Sequence, residues 1–427
     1  MTRGLGRSYG DASLPPPGRG PVASSVAADR VIAFDETTGE LRVEAGLCLG
    51  RIADLFLPRG FFVPVTPGTR EVTIGGMVAA DVHGKNHHVA GTIGAHVRAM
   101  RMRLPDGRIE DVREETHSEL FRATLGGMGL TGHILDVTLM MERVPSRHIV
   151  EDSHTFPDLE SLIDGLVEAG RTWPFTVAWS DLLAPRAALG RGILLTGRWA
   201  SIEEAATDRS FGLPRVSVPF AMPPSLLTNA TVSTFNALRY EAARRVSEAS
   251  RRAGSGGHAR SAESFFYPLD ALRDWNLLYG RRAFTQYQCV MPADPSMRSY
   301  RRLVDVARSA GPGPFLTVIK DCGAEGKGML SFPMPGISFA LDFPIHDGTE
   351  ALVERLNEVV ASVGGRIYLA KDAFTTARRF SAMEPRLGAF LEARARIDPD
   401  GRIDSALAKR LFENDAVRAV KGRQAGG

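Results

Sequence analysis

The residues able to do chemistry are concentrated in a few short runs. Between Pro67 and His96 the chain reads PGTREVTIGGMVAADVHGKNHHVAGTIGAH, with six glycines and four of the ten histidines, His83, His87, His88 and His96, around the pair Lys85-Asn86. Glycines at this density let backbone N–H groups come close to a flat or phosphorylated ligand, because no Cβ stands in the way. The opening run Arg3-Gly4-Leu5-Gly6-Arg7-Ser8-Tyr9-Gly10-Asp11 is a second such loop, and Gly126-Gly127-Met128-Gly129-Leu130-Thr131-Gly132 a third. Three glycine turns in one small domain fit a dinucleotide lying extended, its diphosphate over backbone amides.

Lysine usage is the next clue. Of the 52 Lys+Arg residues, six are lysines: Lys85, Lys320, Lys327, Lys371, Lys409 and Lys421. Where arginine is the default cation, a retained lysine suits a role that needs a titrating amine or a compact point charge. That raises Lys85, Lys320 and Lys371 as candidates, while the other three read as surface positions. Gln286 and Gln288 alternate along a strand-like run, so they share one face and can offer amides to a sugar or phosphate.

Other chemistries fit poorly. His83 and His87 stand i, i+4 as in some zinc sites, but no Glu lies between them and Gly84 is a poor helix residue, so no metal site is expected. Neither glycine loop ends in Gly-Lys-Ser/Thr, and no strand precedes the first, which removes a phosphate-loop kinase and a Rossmann reading. Cys48, Cys289 and Cys322 form no paired framework, and Cys48 and Cys289, in apolar strand-like settings, read as reduced core residues. A net charge of +3 gives no nucleic-acid footprint. No signal peptide is visible, and no run approaches the roughly 18 apolar residues of a membrane span.

The length of 427 residues suits two domains. Strands are expected at Leu41–Ala45, Phe61–Val65, His96–Leu104 and His133–Met141, with helices over Ile52–Leu57, from about Gly75, and over His117–Thr124. Beyond Pro145 longer segments follow. Helices are expected over Pro157–Ala169, with Pro157 at the first helical position, Phe235–Arg252, Met297–Ala310 and Glu350–Val363. Strands are expected at Phe175–Leu182, Gly192–Trp199, Thr285–Met291, Phe315–Lys320, Ile337–Phe343 and Arg366–Ala370. This order predicts a mixed or antiparallel sheet with helices on one face. The tail from Thr375 reads as helical and ends in a polar run. The apolar, proline-rich and aperiodic stretch Phe211–Leu238 reads either as a buried connector or as a mobile lid over a greasy substrate or membrane.

In combination, the runs RGLGRSYGD (3–11), PGTREVTIGG (67–76), HGKNHH (83–88), GGMGLTG (126–132), TQYQ (285–288), FPIHDG (343–348) and AKD (370–372) resemble the flavin oxidoreductases of the vanillyl-alcohol oxidase type. The likeness is greatest to the branch that oxidises polyprenylphosphoryl ribose. It implies an α+β, two-domain fold: an FAD-binding domain over 1–146, an antiparallel-sheet substrate domain over 147–366, and a C-terminal return to the first domain over 367–427.

For the cofactor, the resemblance implies FAD. Arg3, Gly4, Leu5, Gly6, Arg7, Ser8 and Tyr9 would cradle its diphosphate together with Gly68, Thr69, Thr73, Gly75 and Gly76. His83, Gly84, Asn86 and Tyr368 would lie beside the isoalloxazine, and Gly132 and Ile134 at the adenine end. Some families of this fold attach flavin through a histidine in the first loop; Arg7-Ser8-Tyr9 stands here, which implies noncovalent FAD. Tyr9 either stacks near the ring in the pocket or simply packs.

Lys371 matches the family's essential lysine, with the role of hydrogen-bonding the reacting hydroxyl and the flavin edge; otherwise it is a surface lysine paired with Asp372. His83 is the second candidate base or substrate positioner, or else a satisfied core histidine. Gln286, Gln288, Tyr368, Tyr9 and Ser338 would line the substrate site, with Lys320 suited to a phosphate charge. Ser338 stands where the family has asparagine, and Ala340 where it has the cysteine that nitroaromatic inhibitors attack covalently. Family members also carry a strand–helix segment before the first glycine loop. This chain begins almost inside that loop, which implies a start site placed too late or a truncated chain.

The activity so implied is oxidation of the 2′-hydroxyl of polyprenylphosphoryl-β-D-ribose to the 2′-keto sugar. A short-chain reductase would complete epimerisation to the arabinose donor for cell-wall arabinan. A quinone would be the electron acceptor, and contact with the membrane would be peripheral, on a side the sequence does not specify. Two rival readings stand beside it: a flavin oxidase of a soluble sugar, aldonolactone or secondary-metabolite alcohol, and a non-catalytic partner with the same fold.

Overall fold

The computed structural model describes residues 1–18, 20–208, 216–223, 227–253, 257–309 and 311–412. Two antiparallel sheets organise them. The first runs Val31–Asp35, Glu40–Glu44, His133–Met140, Val97–Arg103, Ile109–Val112 in spatial order. Alternation buries Leu41 and Val43 beneath it, beside Ile52 and Phe56 of the helix Leu49–Phe56 and Ile74 and Val78 of the helix Ile74–Ala79.

The second sheet has eight strands, in the order His258–Ser261, His148–Phe156, Gly192–Trp199, Phe175–Ser180, Leu316–Cys322, Gly336–Pro344, Phe284–Met291, Arg366–Ile367, with every pairing antiparallel. The helices Leu159–Gly170, Arg298–Arg308 and Thr349–Ser362 bury Leu162, Leu303 and Leu356 in one core with Tyr287, Cys289 and Phe339 of the strands. One face of the sheet is therefore closed, and the other is free to line a cavity. The helix Ala377–Met383 packs on Thr349–Ser362, and Leu387–Ile397 packs on Ser118–Thr124, which lies in the chain between the strands Ile109–Val112 and His133–Met140 of the first sheet.

Several sequence expectations change. Asp158 caps the helix that follows it, its side chain accepting from the Ser161 N–H at 2.8 Å, so Pro157 precedes the cap and is not the first helical residue. The aperiodic stretch is helical from Asn229, because Thr228 meets Thr231 as a local cap, and the helix runs to Ala253. Before it, Val216–Ser217 pairs with Leu272–Arg273. Residues 211–215 and 224–226 of that stretch, and the polar run 413–427, lie outside the described residues.

The strand His148–Phe156 escaped sequence reading. Only Ile149, Val150 and Glu151 have partners on both sides, and residues 152–156 are polar or half-exposed, which blurs the alternation. The strand expected over Arg366–Ala370 pairs only at Arg366 and Ile367. Tyr368 then donates its N–H to Gln288 O at 2.9 Å and Lys371 donates to Tyr368 O at 2.9 Å, a turn that carries Lys371 into the cavity.

Candidate active site

A cavity of about 1010 Å³ lies between the glycine loops and the free face of the large sheet, at the upper end of the roughly 300–1,000 Å³ span of small-molecule sites. Arg3, Gly4, Leu5, Gly6, Arg7, Ser8 and Tyr9 line it, as do Gly68, Thr69, Thr73, Gly75 and Gly76. So do His83, Gly84, Gly132 and Ile134, and from the sheet side Gln286, Gln288, Lys320, Tyr368 and Lys371. Asn86 and Ser338 do not. The Asn86 amide donates to Pro64 O at 2.8 Å, holding the loop before the second glycine run. Ser338 sits behind Gln288, whose amide lies 3.4 Å from its hydroxyl.

The glycine loops fit a dinucleotide in a specific way. A Cβ on Gly4 would stand 2.1 Å from Thr73 Oγ1, and one on Gly75 would stand 2.9 Å from the Ala45 Cβ. The backbone of both loops is thus packed closer than any side chain allows, while Gly68 opens on free space. Thr73 Oγ1 also accepts from the Gly76 N–H at 3.3 Å, a cap within the second loop against which Gly4 of the first loop packs. These residues suit the elongated, anionic body of FAD.

At the reacting end, the Lys371 ammonium stands over the Tyr9 ring, 3.5 Å from its centroid. Burial pushes Lys371 down to about 7, against the pull of Asp342, with the charge of Lys320 adding to the fall. Asp342, which sequence reading passed over, is fully buried on the strand beside Gln286 and accepts from its amide. Burial raises its carboxyl to about 6, while Gln286 and Lys371 oppose the rise. The signal for it was present: a lone acid in the apolar run ISFALDF.

His83 is 5 % exposed, and its Nε2 lies 2.9 Å from the Gln288 amide nitrogen. Burial first, then the charges of Lys320, His87 and Lys371, hold it well below the ordinary histidine range, so the imidazole is neutral. With Nε2 accepting from Gln288, the ring proton belongs on Nδ1, which finds no partner among the described residues. Tyr368 packs edge-on against His83 and donates its hydroxyl to Ala80 O at 3.1 Å.

Asp372 does not pair with Lys371. It pairs with Arg410 at 2.7 Å, and Arg410 reaches Asp11 at 2.6 Å, so one guanidinium clasps both segments that carry Tyr9 and Lys371. Lys85, also on the cavity wall, donates to Phe265 O and lies 4.1 Å above the Phe265 ring; burial lowers it to about 7. An aromatic group that sequence reading did not find, Trp275, Tyr279 and Phe284, packs against Tyr9 at the cavity's edge. No cluster of His, Cys, Asp and Glu suited to a metal occurs among the described residues.

Comparison with known proteins agrees with this architecture. Residues 1–113 match the FAD binding domain family. The chain is 36% identical over 423 residues to the decaprenylphosphoryl-β-D-ribose oxidase of Mycolicibacterium smegmatis, covering 96% of this chain and 88% of that protein. It is 35% identical over 382 residues to an uncharacterized protein of Streptomyces coelicolor, covering 86% of this chain and 100% of the other. The L-gulonolactone oxidase of Mus musculus is 29% identical over 141 residues, 32% of this chain and 30% of that enzyme. With glycine loops shaped for a dinucleotide facing a buried lysine and histidine, the chain belongs to the family of FAD-dependent oxidoreductases that includes the decaprenylphosphoryl-β-D-ribose oxidase.

Proposed function

We propose that this protein oxidises the 2′-hydroxyl of polyprenylphosphoryl-β-D-ribose to the 2′-keto sugar with noncovalently held FAD. The observation that carries the reading is the convergence of Lys371, His83, Gln286 and Gln288 on the cavity that the glycine loops enclose. FAD, when bound, supplies the hydride acceptor. Lys371, lowered to about 7, takes the hydroxyl proton or holds the hydroxyl by a hydrogen bond. Neutral His83, fixed by Gln288, orients the sugar, and the Gln286 amide faces it from the same strand. The first loop, Arg3–Asp11, holds no histidine or cysteine able to attach flavin there, which supports noncovalent binding.

The lipid-linked substrate is supported by an apolar stripe beside the site. Phe235, Leu238 and Val246 are 63, 68 and 60% exposed along one face of the helix Asn229–Ala253, suiting peripheral contact with a membrane. No helix among the described residues is long and apolar enough to cross a membrane. A short-chain reductase would reduce the keto sugar to the arabinose epimer, and a quinone would reoxidise the flavin.

The test is the anaerobic visible spectrum before and after a short-chain polyprenylphosphoryl ribose is added. Bleaching of the flavin band near ~450 nm is expected, since hydride transfer reduces the ring. Bleaching by free sugars or aldonolactones instead would move the activity to a soluble alcohol. A colourless protein that takes up no FAD would mean a non-catalytic role.

A further inference from the structure

The wall of the cavity beside Trp179 carries a cation that neither the glycine loops nor the reacting end explains. Arg239, on the helix Asn229–Ala253, lines the cavity with its guanidinium 4.4 Å above the Trp179 ring. No carboxylate pairs with it among the described residues, although most of the arginines around it are paired. Burial pulls its guanidinium below the ordinary arginine range. The side chain keeps contact with solvent, so the guanidinium is a hydrated cation without a counter-charge, open to an anion that enters the cavity.

Its position is built. Asn236, one turn earlier on the helix, is 3% exposed and donates to Asp181 Oδ1 at 3.0 Å. Asp181 is fully buried and pairs with Arg191 at 3.0 Å, and Arg191 in turn lies over the Tyr240 ring at 5.1 Å. The helix is therefore pinned to the sheet on both sides of Arg239. Trp179 carries the guanidinium at the cavity wall, where both residues line the space.

Register supplies the distance. Trp179 pairs with Val318, Val318 with Ala340, and Ala340 with Gln288, one transverse row of four cavity-lining residues. At about 4.8 Å per strand, Trp179 lies roughly 10 Å from Ala340 and 14 Å from Gln288. A pentose fits in that interval with its oxidised hydroxyl toward Gln288 and Lys371 and its phosphate toward the helix.

We propose that Arg239, held on Trp179, is the anchor for the phosphate that joins the sugar to its lipid chain. The assignment rests on the lipid-linked substrate proposed above. It makes Arg239 a binding residue that selects a phosphorylated lipid sugar over a free sugar, with no part in hydride or proton transfer. The exposed stripe Phe235, Leu238 and Val246 lies on the same helix, so the phosphate anchor and the apolar surface are one element.

The experiment compares wild type, Arg239→Met and Arg239→Lys in steady-state flavin turnover with a short-chain polyprenylphosphoryl ribose, and in competition by farnesyl phosphate. Arg239→Met should raise KM about 10- to 100-fold, the loss expected for a charge-assisted hydrogen bond, with kcat within threefold. The farnesyl phosphate inhibition constant should rise in parallel, and Arg239→Lys should recover part of both. An unbleached wild-type flavin would overturn the substrate reading itself, whereas normal wild-type turnover with an unchanged KM in Arg239→Met overturns the anchor alone. Loss of binding to phosphatidylglycerol vesicles at unchanged KM would assign the guanidinium to membrane headgroups and overturn it too. An Arg239→Met protein that melts more than a few degrees lower is judged by Arg239→Lys, whose wild-type KM and inhibition constant would support charge at this point and whose Met-like values would reject it.

Discussion

Lys371 and Tyr9 meet face to edge of the same cavity, the ammonium 3.5 Å from the ring centroid, although 361 residues of chain separate them. The ring favours the charged amine, while burial favours the neutral one and prevails. Lys371→Ala should therefore lower the rate of flavin reduction by about 10²–10⁴-fold, the range for a lost general base, and leave flavin bound. Anaerobic stopped-flow mixing reads both; undiminished reduction would remove Lys371 from the chemistry.

The pH profile follows from the same pair. A base must be neutral, so flavin reduction should rise as pH climbs through about 7, where Lys371 loses its proton. Asp342 carries its charge above about 6 and favours the ammonium. In Asp342→Asn that support is gone, and the rising limb should move to lower pH, whereas a purely structural Asp342 would leave the limb in place. The other charged and titratable groups near the pair, Lys320, His83, Tyr9 and Tyr279, are unchanged by that substitution.

Stability carries its own signature of these amines. Lys85 and Lys371 are held near about 7 in the fold against 10.5 for the ordinary side chain. Between those values the unfolded chain binds more protons than the native one, so stability should rise with pH from about 7 to 10. Thermal melting across that window checks it, and Lys85→Met should flatten its share of the slope.

Loop packing makes a separate prediction. In Gly4→Ala the new methyl must displace Thr73 Oγ1, which caps the following turn through the Gly76 N–H. Loss of such a cap costs about 1 kcal/mol and disturbs both glycine loops together. The purified variant should retain less FAD after gel filtration than wild type, and full retention would count against these loops as the cofactor's cradle.

Ala340 lines the cavity in the row with Gln288 and Val318. With no thiol there, nitroaromatic compounds that label the family's cysteine should leave no adduct on this protein. Ala340→Cys should acquire the adduct, read as added mass on the intact chain, at little cost to turnover.

Much of the fold was legible because alternation and glycine spacing are local. The strands carrying Gln286, Gln288 and Ser338 were readable from their own side chains, and so were the glycine loops. What escaped depends on distant partners. Asp342 reads as an anomaly in an apolar strand until Gln286 and Lys371 are brought beside it. Ser338 and Asn86 looked like lining residues, but their polar atoms lie outside the cavity wall, and the Asn86 amide is spent on Pro64 O. Arg239 falls in the helix expected over Phe235–Arg252, but the aperiodic run before it hid the helix start at Asn229, and the indole beneath it comes from a distant strand. The pairing of Asp372 with Arg410, and not with Lys371, was equally beyond local reading.

Arg410 grips Asp11 and Asp372 at once, and these two carboxylates stand next to the segments bearing Tyr9 and Lys371. During synthesis the first loop leaves the ribosome hundreds of residues before its partner does. Closure of so long a loop is entropically slow, and the proposed catalytic amine of Lys371 is not clasped until the helix Ala406–Phe412 docks. A growing or prematurely ended chain can thus collapse around its glycine loops yet remain chemically silent. The final clasp doubles as a checkpoint on the finished molecule.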